Sequence, residues 1–501
     1  MSDQVDLFII GGGVNGAGIA RDAAGRGLSV VLCEKDDLAE GTSSRSGKLV
    51  HGGLRYLEYY EFRLVREALI EREVLLNAAP HIIWPMRFVL PHSPTDRPAW
   101  LVRLGLFLYD NLGGRKKLPG TRALNLKHAP EGTPIKPDYS KGFEYSDCWV
   151  DDARLVVLNA IAARESGAEI LTRTACTSLR QQDGHWVARV ENKHSGQTRD
   201  IHARAVVNAA GPWVNDVIGR VAGSNSSRSV KLVKGSHIIV PKFWEGAQAY
   251  LVQNTDKRVI FINPYEGDKA LIGTTDIAYE GDPNDVSVDQ SEVTYLMDAV
   301  NRYFTTPLTE KDVIETFSGV RPLFDDGNGN PSAVTRDYVL DLDRTQGAPL
   351  LNVFGGKITT YRKLAEHAVR DLEPIFPEMG VAWTATKPLP GGDMKDADFD
   401  AFFDQLRGTY PWLPTDLAHH YARLYGTRMT HIVSNATSVD DLGTKFGPLL
   451  YEAELIYLSQ HEWAQCADDV LKRRTKHGLN VSADEIFRIE DWFKNGFAKQ
   501  A

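Results

Sequence analysis

The sequence predicts an α/β protein: a Rossmann-type dinucleotide-binding domain, a β-sheet domain beside it and a helical C-terminal domain. Three observations carry that prediction. A glycine-paved stretch fills positions 6–37, a middle region alternates short strands, and after "LPGGD" at 389–393 the chain turns aromatic and helical with no strand pattern.

The first stretch reads "DLFIIGGGVNGAGIARDAAGRGLSVVLCEKDD". The apolar run Leu7 to Ile10 predicts a buried strand. Gly11-x-Gly13-x-x-Gly16 opens a small-residue helix ending near Gly25–Gly27, and Ser29 to Cys33 predicts a second strand. Gly11 suits a tight turn, Gly13 a close backbone approach to a pyrophosphate, and Gly16 tight helix–strand packing. Glu34 ends the second strand 18 residues beyond Gly16, where a carboxylate accepts from an adenosine ribose. A tight turn in an ordinary sheet explains the glycines alone. The agreement of strand, helix, strand and acid favours a dinucleotide site, without separating NAD from FAD.

Positions 41–76 begin with the donor-rich run Thr42, Ser43, Ser44 and Ser46, which an extended cofactor would need but which a plain surface loop also explains. From Glu61 the pattern is that of a long amphipathic helix. Strand signals recur in "AEILTRTACTSL", "HWVARVEN" and "IHARAVVNAAGPW", then in "SHIIVP", "RVIFINP" and "KALIGTTD" of the middle domain. Positions 349–372 predict a strand, a Gly-Gly turn and a helix whose first turn holds Thr359 and Thr360, a place suited to an anion.

At 501 residues the chain should hold two or three domains, and its formal net charge of −9 argues against nucleic acid as partner. Four cysteines lie at least 28 residues apart and form no CxxC, so neither a metal site nor a disulfide framework is expected, and the compartment is read as reducing. "MSDQVDLFII" carries an acid where a signal peptide would be basic, and no run approaches the ~20 apolar residues of a membrane helix. A cytoplasmic location is therefore expected.

The segments "GGGVNGAG", "SSRSGKLVHGGLRYLE", "GFEYSDCWVDDARL", "VNAAGPW", "KGSHIIVP", "IGTTD", "SGVRPL", "TRDY" and "FGGKITTYRKLAE" together resemble the FAD-dependent glycerol-3-phosphate dehydrogenases of the aerobic, quinone-linked bacterial type, in the same order and over nearly the whole chain. The resemblance implies oxidation of sn-glycerol 3-phosphate to dihydroxyacetone phosphate, with electrons passing through FAD to ubiquinone. It implies a D-amino-acid-oxidase-like fold with a discontinuous FAD domain (1–75, 145–230 and 315–385), a substrate domain (76–144 and 231–314) and a helical domain (388–501). A homodimer at the inner face of the cytoplasmic membrane is expected.

The same resemblance assigns residues. Gly11, Gly13 and Gly16, with Val14 and Asn15, hold the pyrophosphate, and Glu34 the ribose. Thr42, Ser43, Ser44, Lys48, Leu49 and His51 follow the rest of the cofactor, joined by Ala175, Gly211, Gly356, Lys357 and Ile358, while Thr359 and Thr360 sit by the pyrimidine ring. Tyr56, Thr274, Arg336 and Lys357 belong to the substrate.

The chemistry makes its own demands. An alcohol oxidised by hydride transfer needs a base for its hydroxyl proton, and His51 and His237 are the candidates, with the "KGSHI" resemblance favouring His237. Arg55 suits a developing alkoxide, and Arg321 and Arg336 suit a phosphate. In "RPAWLVRLGLFLYDNLGGRKKL" at 97–118, Trp100, Leu104, Phe107 and Leu108 share a helical face before Arg115, Lys116 and Lys117. That is either a membrane-surface anchor or a core helix, and a quinone acceptor favours the anchor. "LKRRTK" at 471–476 is read as a solvated helix face or dimer contact. An oxidase that reduces oxygen, or a non-catalytic dinucleotide-binding module, remain the alternatives.

Overall fold

The computed structural model describes residues 4–93, 97–223, 228–325, 337–344 and 347–496. Its first strand, β1 (Gln4–Ile10), leads through helix α1 (Val14–Gly25) to β2 (Val30–Cys33), which lies parallel to β1. On its other side β1 pairs in parallel with Thr198–Asn208, which pairs in turn with Leu350–Phe354. These strands belong to an eight-stranded sheet. Leu7, Ile9, Val30 and Leu32 face a core shared with Ala17, Ala20 and Ala23 of α1, whose small side chains let the helix Tyr361–Asp371 pack close.

A second sheet of ten strands stands beside the first. Its centre runs Val230–Pro241, Lys269–Gly273, Val259–Tyr265 and Ala249–Gln253 in antiparallel order, then continues in parallel to Ile83–His92. Glu315–Phe324, grouped on sequence with the cofactor segments, pairs along its whole length with Val230–Pro241 of this second sheet. Between sheets and surface lie α2 (Phe62–Ala78), α3 (Ala99–Leu112) and α4 (Asp152–Glu165).

The C-terminal region packs its own core, with Tyr421, Tyr425, Leu455 and Leu458 among the buried residues. Buried charges join it to the first sheet. Arg474 Nη1 meets Asp37 Oδ2 at 2.6 Å, Arg473 Nε meets the same oxygen at 2.5 Å, Arg154 of α4 pairs with Glu462, and Lys476 pairs with Asp151. This corrects the reading of "LKRRTK" as a solvated face: Arg473, Arg474 and Lys476 are buried, and only Lys472 is solvated. Linear charge density cannot reveal that Asp37 and Asp151, which meet these cations, sit more than 300 residues earlier in the chain.

Burial would push the Asp37 carboxyl up, but Arg474 and then Arg473 outweigh it and hold it down to about 2, against 3.8. A depressed carboxyl contributes stability that is complete above its unfolded value and is lost as pH falls through its folded value. Asp37→Asn takes the carboxylate from buried Arg474 and leaves Arg473 to Asp469, 2.5 Å away, a loss of about 3–5 kcal/mol. Thermal unfolding at neutral pH should show that loss, and the variant should lack the wild-type decline in stability between roughly pH 4 and 2. A wild-type melting profile in Asp37→Asn would show the clamp to be energetically neutral.

Candidate active site

A cavity of about 1270 Å³ opens at the carboxyl ends of β1, Thr198–Asn208 and Leu350–Phe354 and runs across to the second sheet. Ligand pockets in open parallel sheets fall at this edge, where the backbone leaves each strand and its amides turn outward. The volume exceeds the ~300–1,000 Å³ of an ordinary small-molecule pocket, enough for an extended dinucleotide with a second molecule against it.

At the first-sheet end, Gly11 turns with φ +109°, and a Cβ there would lie 2.6 Å from the Ala209 oxygen. Gly13 is the N-cap of α1 and brings no side chain to cap it; Ser43 Oγ accepts from Val14 N at 3.0 Å instead. The helix N-terminus thus opens to the cavity with its partial positive charge. Glu34 Oε2 accepts from Gly12 N at 2.7 Å and its Oε1 from Asp36 N at 2.9 Å, which fixes the carboxylate at the cavity wall. Burial pushes its carboxyl up despite those two bonds. Two buried polar atoms of the lining, Asn15 Oδ1 and Trp213 Nε1, have no hydrogen-bond partner among the described residues. Buried polar groups left this way are expected where a polar ligand completes them.

The register of the second sheet builds the other end. Phe261 stands opposite Gly273, Gly273 opposite His237 and His237 opposite Phe317, so four residues from four strands form one row. His237 stacks on Phe317 with ring centroids 4.8 Å apart, and His51 meets Phe261 edge-on at 5.8 Å. The Nδ1 of His237 is buried with no partner among the described residues. Burial first, then Lys48 and Arg321, bring its imidazole down to about 3, so the ring is neutral at ordinary pH with a lone pair to accept a proton. His51 is likewise lowered, mainly by burial.

Two positions further, Gly235 faces Gly319. A Cβ on Gly235 would lie 2.6 Å from Thr274 Oγ1 and overlap the Arg321 guanidinium, so the glycine makes room for both. Arg321 donates to the Thr275 carbonyl at 2.7 Å and pairs with Asp276 at 3.0 Å. The Lys357 ammonium stands 4.1 Å over the Tyr56 ring, and Arg55 Nη2 reaches the Tyr59 hydroxyl at 3.4 Å.

Of the residues singled out on sequence, Gly11, Gly13, Val14, Asn15, Glu34, Thr42, Ser43, Leu49, His51, Arg55, Tyr56, Ala175, Gly211, His237, Thr274, Arg321, Gly356, Lys357, Ile358 and Thr359 all line this cavity. Four do not line it: Gly16, Ser44, Lys48 and Thr360. Gly16 packs against the Gly11 carbonyl, and Thr360 is buried in the turn before the last helix of the first sheet. The Lys48 ammonium is buried 3.0 Å from Asp152 and donates to the Ser44 carbonyl. Burial would raise the Asp152 carboxyl, but Lys48 and Lys476 hold it below its usual range. Arg336 lies outside the described residues. Sequence reasoning passed over Arg45, Trp213 and Asp276, which also line the cavity; all three sit inside segments already singled out, "SSRSGK", "GPW" and "IGTTD", but only the fold shows that Asp276 pairs with Arg321.

A Rossmann-type sheet with a cavity of this size and a second sheet beside it marks a dinucleotide-binding protein with room for a second molecule. The comparisons agree: residues 6–362 match the family described as FAD dependent oxidoreductase, to which the chain belongs, and residues 382–485 match the C-terminal domain of alpha-glycerophosphate oxidase. Among curated proteins it is 69% identical over 493 residues, 98% of each chain, to D-erythritol 1-phosphate dehydrogenase of Brucella abortus (strain 2308). It is 52% identical over 488 residues, 97% of each chain, to aerobic glycerol-3-phosphate dehydrogenase of Escherichia coli (strain K12). The solved glycerol-3-phosphate dehydrogenase of Bacillus halodurans complexed with FAD is 27% identical, with a TM-score of 0.77 over 100% of this chain and 95% of that one.

FAD is therefore the cofactor, and the residues present fit it: the helix N-terminus would face the pyrophosphate, Glu34 would face the ribose, and the unsatisfied Asn15 and Trp213 atoms lie along the wall. Gly13→Val should leave the fold intact yet purify with little flavin, because branched carbon would crowd Ser43 Oγ, 3.1 Å from a Cβ, and cover the helix end. The flavin absorbance relative to protein, with circular dichroism as the fold control, reads this directly; a fully yellow variant would place the pyrophosphate elsewhere.

Proposed function

We propose that this flavoenzyme oxidises one secondary alcohol of a short polyol phosphate to the ketone, and that its substrate is D-erythritol 1-phosphate. The observation that carries the choice is identity: 69% to the Brucella enzyme of that name against 52% to the E. coli glycerol-3-phosphate enzyme, each over nearly the full chain. Glycerol 3-phosphate, which the motifs favour on sequence, is the second reading, supported by further 51–52% relatives carrying that name.

When bound, FAD supplies the hydride acceptor. The chain's own residues do the rest. Arg321, paired with Asp276, and Lys357 from the Gly-Gly turn bring fixed positive charge to the phosphate. Arg55 holds negative charge developing on the alcohol oxygen. His237 takes the hydroxyl proton. Lys48 and Arg321 are among the causes that weaken it as a base, and a phosphate dianion arriving beside Arg321 offsets them, so its basicity rises when substrate is in place.

Anaerobic addition of erythritol 1-phosphate should bleach the flavin at least about tenfold more efficiently than glycerol 3-phosphate, a difference of about 1.4 kcal/mol. Erythritol and glycerol should leave it yellow. Arg321→Ala should weaken substrate binding roughly 10- to 150-fold with FAD retained, and His237→Gln should slow bleaching about 10²- to 10⁴-fold. Preference for glycerol 3-phosphate would select the second reading. Bleaching by NADH or an amino acid alone would end both.

For the electron acceptor we infer a quinone reached at a membrane surface. No helix among the described residues is long and apolar enough to cross a membrane. Yet α3 exposes Trp100 (68%), Phe107 (60%) and Leu104 (47%), and the neighbouring turn exposes Tyr60 (80%), beside the solvated Arg115, Lys116 and Lys117. Leu106 and Tyr109 hold the helix to the core by its opposite face. An apolar face turned to solvent with a basic flank suits peripheral attachment to anionic lipid. Trp100→Glu/Phe107→Glu, at two residues outside the cavity lining, should lose liposome co-sedimentation while keeping dye-linked activity; undiminished liposome binding would move the anchor elsewhere.

A further inference from the structure

We propose that His420, Glu454 and His477 form a binding site for a divalent transition metal of the zinc kind, which pins three elements of the C-terminal region together. The residues come from separate elements: the helix Thr415–Tyr425, the helix Glu452–His461 and the turn His477–Leu479. Their three ligand atoms lie within 4.8 Å of one another.

The geometry suits shared coordination. The two Nε2 atoms are 3.2 Å apart, and His420 Nε2 stands 2.8 Å from Glu454 Oε1. Ligands held 2.0–2.1 Å from a tetrahedral ion are separated by about 3.3 Å. Two neutral imidazole nitrogens can face each other this closely only with one proton, or one cation, between them.

A second observation points to the cation. Glu454 is fully buried, and its Oε2 has no hydrogen-bond partner among the described residues, while Tyr425 donates to its Oε1 at 2.6 Å. A dry carboxylate with one bare oxygen is costly alone and favourable against a metal. The tyrosine hydroxyl orients it as the outer hydrogen bonds of metal sites do. Two imidazoles and a carboxylate, with no thiolate, favour zinc and leave a fourth position for water.

None of the three residues lines the catalytic cavity, so the role is structural. His477 directly follows Lys476, the partner of Asp151, and lies three residues beyond Arg474, the partner of Asp37. A bound ion would therefore stiffen the segment that clamps the C-terminal region to the cofactor domain.

The test uses the full-length, FAD-loaded protein. After chelation and dialysis, zinc titrated against a chromophoric chelator should bind at one equivalent per chain and raise the melting temperature by roughly 2–4 °C or more. Cobalt in its place should give the visible absorption of a tetrahedral nitrogen–oxygen site. His420→Ala and Glu454→Gln should each weaken zinc at least tenfold, with substrate-driven flavin bleaching unchanged. Failure of the wild type to bind stoichiometric zinc, or affinity unaltered in a folded His420→Ala, overturns the site. Should both variants misfold, the wild-type stoichiometry and cobalt spectrum decide.

Discussion

No side chain fits between the exit of β1 and the start of α1. A Cβ on Gly16 would overlap the Gly11 carbonyl oxygen, and one on Gly11 would press on Ala209 at the end of a neighbouring strand. Strand, turn and helix are therefore locked at close approach, and the helix points its N-terminal end across the carboxyl edge of the sheet. Everything about the cofactor end follows from that contact: where the positive helix terminus lies, why Ser43 sits above it, and why Glu34 at the end of the next strand reaches the same wall.

The second-sheet end of the cavity depends on a different device, strand register. Antiparallel pairing sets Phe261, Gly273, His237 and Phe317 in one row, and two residues along it sets Gly235 against Gly319 with Thr274 and Arg321 above. A slip of one residue would turn His237 to the opposite face, away from the cavity it lines. Loops could not hold an imidazole and a guanidinium this firmly; a wide sheet does.

Buried charge joins these two ends to the third part of the molecule. The run Asp151, Asp152 and Arg154 at the start of α4 reaches Lys476, Lys48 and Glu462 respectively, and Asp37 reaches Arg473 and Arg474. Such pairs add little net stability over a well-packed apolar interface, but each partner left alone is strongly unfavourable. They therefore penalise every docking of the C-terminal region except the one that satisfies them all. Lys48 illustrates the double setting: it anchors the loop behind the cofactor wall while its charge is felt at His237.

The sequence by itself determined the elements and the class of site. Glycine spacing, apolar runs and the acid at Glu34 are local signals, and β1, α1, β2, α2 and the strand–turn–helix at 350–371 all fall where those signals put them. Most residues expected at the cofactor do line the cavity, because they belong to segments whose backbone path is dictated nearby. What only the tertiary structure decided is everything that depends on partners distant in the chain. It buried Arg473 and Arg474 against Asp37, withdrew Lys48 behind the wall, brought Asp276 to Arg321, and turned the apolar face of α3 outward. A charge or an apolar face reads the same in sequence whether it meets water or its complement, since burial is a property of what packs against it and not of the residue itself.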